Sequence, residues 1–68
     1  MKISLKAARV NAGLTQTQVA EALGKNPMTI ASWENGKSTP NMRNLYALCA
    51  LYKMPVRNIL LPGRLGGS

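Results

Sequence analysis

Signals that start and stop helices recur about every ten to fifteen residues along this chain, which restricts it to short helices joined by tight turns. Ser4 is placed to cap a helix over Leu5 to Asn11, and Gly13 ends it where a left-handed conformation costs little. Thr15 and Gln18 form a T-x-x-Q capping box over the run Gln16 to Leu23, which Gly24 stops. Asn26 caps a third helix whose first position is Pro27, where the missing N–H would have had no helical partner anyway. Pro27 therefore opens this helix rather than breaking it, and Gly36 lies just past its end at Asn35. After the turn "KSTP", Asn41 or Thr39 starts a fourth helix over Met42 to Lys53, and Pro55 opens a short fifth one reaching Leu61. Strand signals are weak and there is no internal repeat, so the expected fold is all-α, a compact bundle of five short helices.

Residues 1–61 carry that pattern as one domain, while "PGRLGGS" at 62–68 is Gly-rich and is expected to be a flexible tail. A domain this small buries only about 60% of the surface its unfolded chain exposes, so its core is small. Nine Lys and Arg stand against two carboxylates, Glu21 and Glu34, for a formal charge of +7, which favours polyanionic partners such as nucleic acid or an acidic membrane. The same composition removes most chemistry. With no His, one Cys and no pair of neighbouring carboxylates, the chain lacks the parts for a metal site, a Cys/His nucleophile or a two-carboxylate mechanism. The expectation is a non-enzyme without a cofactor or metal. A lone Cys49 fits a reducing compartment, and "MKISLKAARV" has too many charges for a signal peptide or membrane span, so a cytoplasmic location is expected.

The connection between the second and third helices has a recognisable internal spacing. Val19, Ala20 and Leu23 point inward from one helix, Gly24 turns the chain, and Ile30 and Trp33 point inward from the next. Ala20 supplies the small residue that two closely crossing helices require. This is a helix-turn-helix pattern. With "GLTQTQVAEALG" followed by "WENGKSTP", the chain resembles the Cro and lambda-repressor-like, or XRE-type, helix-turn-helix family over roughly residues 3 to 61. The resemblance implies a lambda-repressor-like DNA-binding domain whose third helix lies in the major groove.

Carried over position by position, the resemblance assigns backbone contacts to Thr15 and Gln16, where a helix N-terminus also offers free N–H groups to phosphate. Asn35, Lys37, Asn41 and Arg43 follow the third helix where the family meets phosphates, and Lys25 in the turn is a further candidate. Pro27, Met28 and Ser32 match the base-reading positions, flanked by Asn26 and Thr29. These depart from the long polar side chains common there. Neither Pro27 nor Met28 can make bidentate hydrogen bonds to a purine, which leaves thymine methyls, a hydroxyl bond from Ser32 or Thr29, and an Asn26 amide. The expected readout is thymine methyls and DNA shape.

Arg9, four residues after Leu5, and Glu34, four after Ile30, fall on faces expected to turn inward, Arg9 on the face that Leu5 and Ala12 define. Opposite charges there suggest a partly buried structural ion pair, and the resemblance implies one at matching positions. Glu34→Ala is expected to cost stability rather than DNA contacts. In the fourth helix Met42, Leu45, Leu48, Cys49 and Tyr52 form a core stripe, while Tyr46, Ala47, Ala50 and Leu51 form a second apolar strip that something must cover. The cover is either the chain's own Val56, Ile59 and Leu60 or a protein partner, a second copy included, because family members commonly bind near-palindromic DNA as homodimers.

The composite reading is a transcriptional regulator of phage or prophage repressor type that occupies double-stranded operator DNA as a dimer. It is either a complete Cro-sized protein or the DNA-binding part of a longer one. The competing reading is a helix-turn-helix modulator, an anti-repressor or antitoxin, that acts through a protein partner and uses its unreactive third helix as an apolar contact. Membrane binding is disfavoured because the positive charges do not line one helix face.

Overall fold

The structure, a computed structural model, describes residues 2–61. Residue 1 and the expected tail at 62–68 lie outside the described residues. The elements in chain order are β1 (Ile3–Ser4), α1 (Leu5–Asn11), α2 (Gln16–Leu23), α3 (Pro27–Asn35), α4 (Met42–Tyr52), a single 3-10 turn (Val56–Asn58) and β2 (Ile59–Leu60).

Local capping chemistry accounts for the boundaries of the four helices. The Ser4 hydroxyl accepts from the Ala7 N–H at 3.0 Å, and the Asn41 side chain, rather than Thr39, accepts from the Asn44 N–H at 2.8 Å. At α2 both halves of the capping box form: Thr15 Oγ1 accepts from the Gln18 N–H at 3.1 Å, and Gln18 Oε1 accepts from the Thr15 N–H at 2.9 Å. Gly24 ends α2 at φ 67°, which lets the Lys25 N–H donate back to the Ala20 carbonyl at 2.8 Å and turns the chain directly into α3.

The core is a single cluster. Leu5 and Ala8 of α1, Val19 and Ala20 of α2, Ile30 and Trp33 of α3, and Leu45, Leu48, Cys49 and Tyr52 of α4 are all buried, with Leu14, Leu23 and Leu51 packed at its edge. Two residues expected in this core are outside it. Met42 is 56% exposed because the first turn of α4 runs past the end of the cluster, and Ala12 is exposed as the C-cap of α1 rather than part of its inner face.

The expected fifth helix does not form. Pro55 is extended at ψ 144°, only Val56–Asn58 wind a 3-10 turn, and Ile59–Leu60 continue as β2. Six residues between Pro55 and Pro62 give too few hydrogen bonds to repay helix nucleation, and Leu61 is biased toward extended backbone by the proline that follows it. The strand has a better outlet. It pairs in parallel with β1 in the register Ile3 with Ile59 and Ser4 with Leu60, and the Lys2 ammonium donates to the Arg57 carbonyl at 2.6 Å. This pairing ties the two ends of the described chain together and buries Ile59 against the core. The fold is thus four α-helices closed by a two-stranded clasp.

Candidate nucleic-acid interface

Two helices set the geometry of the candidate surface. α2 and α3 form the closest helix pair of the structure, joined by only Gly24, Lys25 and Asn26, so the start of α2 and the outer side of α3 are held in fixed relation. Pro27 and Met28 are exposed on α3, Met28 at 76%, while Thr29, Ala31 and Ser32 are half-buried beside them. The Asn26 side chain is partly committed, since its Oδ1 accepts from the Met28 N–H at 2.8 Å, which leaves the amide nitrogen for an outside acceptor. The Thr29 N–H donates to the Asn26 carbonyl at 2.9 Å. With Pro27 lacking an N–H, the first turn of α3 has its donors satisfied and offers side chains rather than backbone to a partner.

The start of α2 differs. Thr15 caps the Gln18 N–H, but no side chain caps the N–H groups of Gln16 and Thr17 among the described residues. Thr15 is exposed and Gln16 half-buried. Lys25 and Asn26 occupy the turn, Asn35 and Lys37 flank the end of α3, and Asn41 and Arg43 stand at the start of α4; all six are exposed. The Lys37 N–H donates to the Ser32 carbonyl at 3.0 Å, so the chain turns sharply there and Lys37 stays next to α3.

Beneath this surface the structure brings three side chains and one backbone carbonyl together. Arg9 Nε donates to Glu34 Oε2 at 2.7 Å and Nη2 to Oε1 at 3.3 Å, with the two side chains only 11% and 3% exposed. Arg9 Nη1 donates to the Leu14 carbonyl at 2.9 Å, which anchors the loop that leads into α2. Gln16 Nε2 donates to Glu34 Oε1 at 2.9 Å. The hydrogen bond that Arg9 donates to Glu34 holds its guanidinium above the ordinary pKa, against burial, which lowers it. With this pair internally compensated, the remaining charge is eight cationic side chains against one carboxylate, Glu21. No spacing in the sequence signals the Gln16 and Leu14 contacts, since the family resemblance assigns Gln16 to a phosphate alone.

The second apolar strip is only partly covered. Tyr46 is 58% exposed and Ala47 and Ala50 are exposed, whereas Leu51 and Val56 are half-buried against the core and Leu60 lies at the surface. Ile59 is a core residue and is not available to a partner, because β2 turns it inward opposite Ile3. Between α2 and α4 an open groove of about 630 Å³ is lined by Ala22, Leu23, Arg43, Asn44, Ala47, Ala50 and Leu51. Its floor is apolar and its lip carries the Arg43 cation.

No helix among the described residues is long and apolar enough to cross a membrane. A family model described as "Helix-turn-helix" matches residues 5–58, from the start of α1 to the end of the 3-10 turn. The chain is also similar to an "HTH-type transcriptional activator BcrR" from Enterococcus faecalis, at 34% identity over 56 residues, which covers 82% of this chain and 28% of that protein. The chain thus spans a little over a quarter of the length of that relative. No solved structure matches.

Proposed function

The chain belongs to the helix-turn-helix family, and we propose that it is a sequence-specific, non-catalytic regulator of transcription that lays α3 in the major groove of double-stranded DNA. The observation that carries this reading is the α2–α3 unit itself. Its connection is only three residues long, its first helix has uncapped N–H groups at the leading end, and its second exposes Pro27 and Met28, with the exposed cations Lys25 just before it and Lys37 and Arg43 after it in the chain. In the assignment we favour, Thr15, Gln16, Lys25, Asn35, Lys37, Asn41 and Arg43 hold the phosphates, while Asn26, Pro27, Met28, Thr29 and Ser32 face base edges.

The chemistry of α3 defines the readout. Met28 and the Pro27 ring are suited to thymine methyls, and Ser32, Thr29 and the Asn26 nitrogen supply a few single hydrogen bonds. A phage-type repressor that binds a near-palindrome as a homodimer and blocks a promoter by occupying it is the specific form we propose, acting in the cytoplasm without a cofactor. Two copies would place their α3 helices in successive major grooves, roughly 34 Å apart. The similarity to a protein named as an activator supports the regulatory class; the sign of regulation depends on where the bound site lies relative to a promoter.

Replacement of thymine by uracil in a selected duplex tests the readout, because it deletes one methyl and leaves every hydrogen-bonding group. Each contacted methyl removed should weaken binding about fourfold, the value of one buried carbon. A site rich in guanines, insensitive to uracil and abolished by Ser32→Ala, would contradict it.

The groove between α2 and α4, together with exposed Tyr46, favours a second reading, a modulator that works through a protein partner. Gel filtration with light scattering on the free chain and on the chain with DNA separates the two. A dimer on DNA supports the repressor form, and a monomer indifferent to DNA supports the modulator.

A further inference from the structure

Glu34 has so far figured as half of a structural ion pair, yet its carboxylate also touches a residue of the proposed phosphate-binding surface. Gln16 Nε2 donates to Glu34 Oε1 at 2.9 Å, eighteen residues away in sequence. Glu34 lies 3% exposed and is doubly bonded to Arg9, so its oxygens cannot turn away. An ionised carboxylate only accepts hydrogen bonds. The Gln16 amide must therefore present its nitrogen, not its oxygen, to Glu34. That nitrogen carries two N–H groups, of which one is used on Glu34, and the second has no hydrogen-bond partner among the described residues.

We propose that Glu34 is a positioning residue for DNA binding, holding the Gln16 amide so that its second N–H donates to a backbone phosphate. A free glutamine at this position turns its oxygen outward as readily as its nitrogen, and an outward oxygen repels a phosphate. Its side chain also loses considerable rotamer freedom when it is ordered on binding. Glu34 removes both costs before the DNA arrives. Arg9 completes the arrangement by fixing the carboxylate on one side and the Leu14 carbonyl, just ahead of α2, on the other. The buried pair thus sets the donor that faces the phosphate as well as stabilising the fold. This inference rests on the reading of α2 and α3 as a DNA-binding surface.

Electrostatics gives the test an unambiguous sign. Glu34→Gln removes a negative charge from a chain of formal charge +7, so general attraction alone would tighten DNA binding. A positioning role requires the opposite. The full chain, Gln16→Ala, Glu34→Gln and the double variant are titrated with a selected and a scrambled duplex, at a temperature where circular dichroism shows all four folded. Gln16→Ala should weaken the selected duplex roughly tenfold, the size of one charge-assisted hydrogen bond. Its salt slope should not change, since glutamine neutralises no phosphate. Glu34→Gln should weaken binding by a similar factor, and the double variant should bind no more weakly than either single one.

A folded Glu34→Gln that binds as tightly as the unaltered chain, or a Gln16→Ala loss undiminished in the Glu34→Gln background, overturns the proposal. Should Glu34→Gln not fold, the side-chain amide of Gln16 is followed by NMR in the unaltered chain. The proton bonded to Glu34 is expected to be protected from solvent exchange both free and on DNA, and the second proton to become protected only on DNA; a second proton that exchanges as fast in the complex as in the free chain overturns the proposal. An unaltered chain that does not distinguish the two duplexes overturns the DNA-binding reading, and this inference with it.

Discussion

Removal of either partner of the Arg9–Glu34 pair should destabilise the fold, and the structure predicts that the two removals are unequal. Arg9→Ala leaves a carboxylate 3% exposed whose remaining donor is Gln16, whereas Glu34→Ala leaves a guanidinium that is 11% exposed and still bonded to the Leu14 carbonyl. Breaking a buried pair by removing one partner costs about 3 to 5 kcal/mol. The less accessible carboxylate places Arg9→Ala near the upper end and Glu34→Ala near the lower. A domain of this length has a total stability of about 3 to 10 kcal/mol, so either change is a large fraction of it. In melting temperature, 3 kcal/mol corresponds to a fall of about 12 °C or more for a domain of this size. Urea unfolding at 25 °C, followed by Trp33 fluorescence and circular dichroism, measures both. A double replacement, Arg9→Met with Glu34→Leu, should recover most of the loss because no buried charge is left unpaired. The reasoning fails if both single variants lie within about 1 kcal/mol of the unaltered chain, or if the double apolar variant is less stable than each.

Tyr52 gives a pH prediction: its phenol is pushed up to about 12, chiefly by burial, with the Glu34 charge adding. The folded chain therefore holds this proton more tightly than the unfolded one, so the contribution is full below pH 10 and is lost as pH rises toward 12. It amounts to about 2 to 3 kcal/mol, and Tyr52→Phe should flatten the decline of urea midpoints over that window. Lys53 ends α4 at φ 55°, the one non-glycine with positive φ among the described residues, so Lys53→Gly should raise stability by about 0.5 to 1 kcal/mol in thermal melts. Cys49 is buried and its thiol pushed up by burial, so a thiol reagent should modify it only at the rate of global opening, with urea accelerating the reaction. Ile59→Ala should cost about 2 to 4 kcal/mol in urea unfolding, as expected of a core residue rather than a surface strip.

What could be read from the sequence was what neighbouring residues decide among themselves. Caps act within three or four residues, so Thr15 with Gln18, Asn26 with Pro27 and the Gly24 turn fixed the boundaries of α2 and α3 before any packing was considered. Inward faces followed from helical periodicity, which placed Val19, Ala20, Ile30 and Trp33 in the core and set Arg9 and Glu34 on facing sides. Periodicity failed where an element ends. Met42 and Ala12 sit on the right angular face but beyond the reach of the core, and an angular pattern carries no information about length along the axis.

The fifth helix failed for a different reason. Val56, Ile59 and Leu60 have helical spacing, yet their state is decided by pairing with Ile3 and Ser4 at the other end of the chain, which no local signal reports. The contact between Gln16 and Glu34 is equally non-local, and nothing in the spacing of a half-buried glutamine marks it. The residues proposed to face bases were named from their positions on α3 alone, whereas the occupation of the Asn26 oxygen by the Met28 N–H became visible only with the cap in place.

The measurement that bears most directly on the central claim is a site selection at about 150 mM salt, followed by titration of the selected and a scrambled duplex across a salt series. The account predicts a selected duplex bound at least roughly a thousandfold more tightly than the scrambled one, with thymines opposite α3. It also predicts that Lys37→Ala and Arg43→Ala each lower the salt slope by about 0.9, one phosphate apiece. Equal and steeply salt-dependent binding to both duplexes would contradict it, showing that the positive charge attracts DNA without reading it and that α3 faces some other partner.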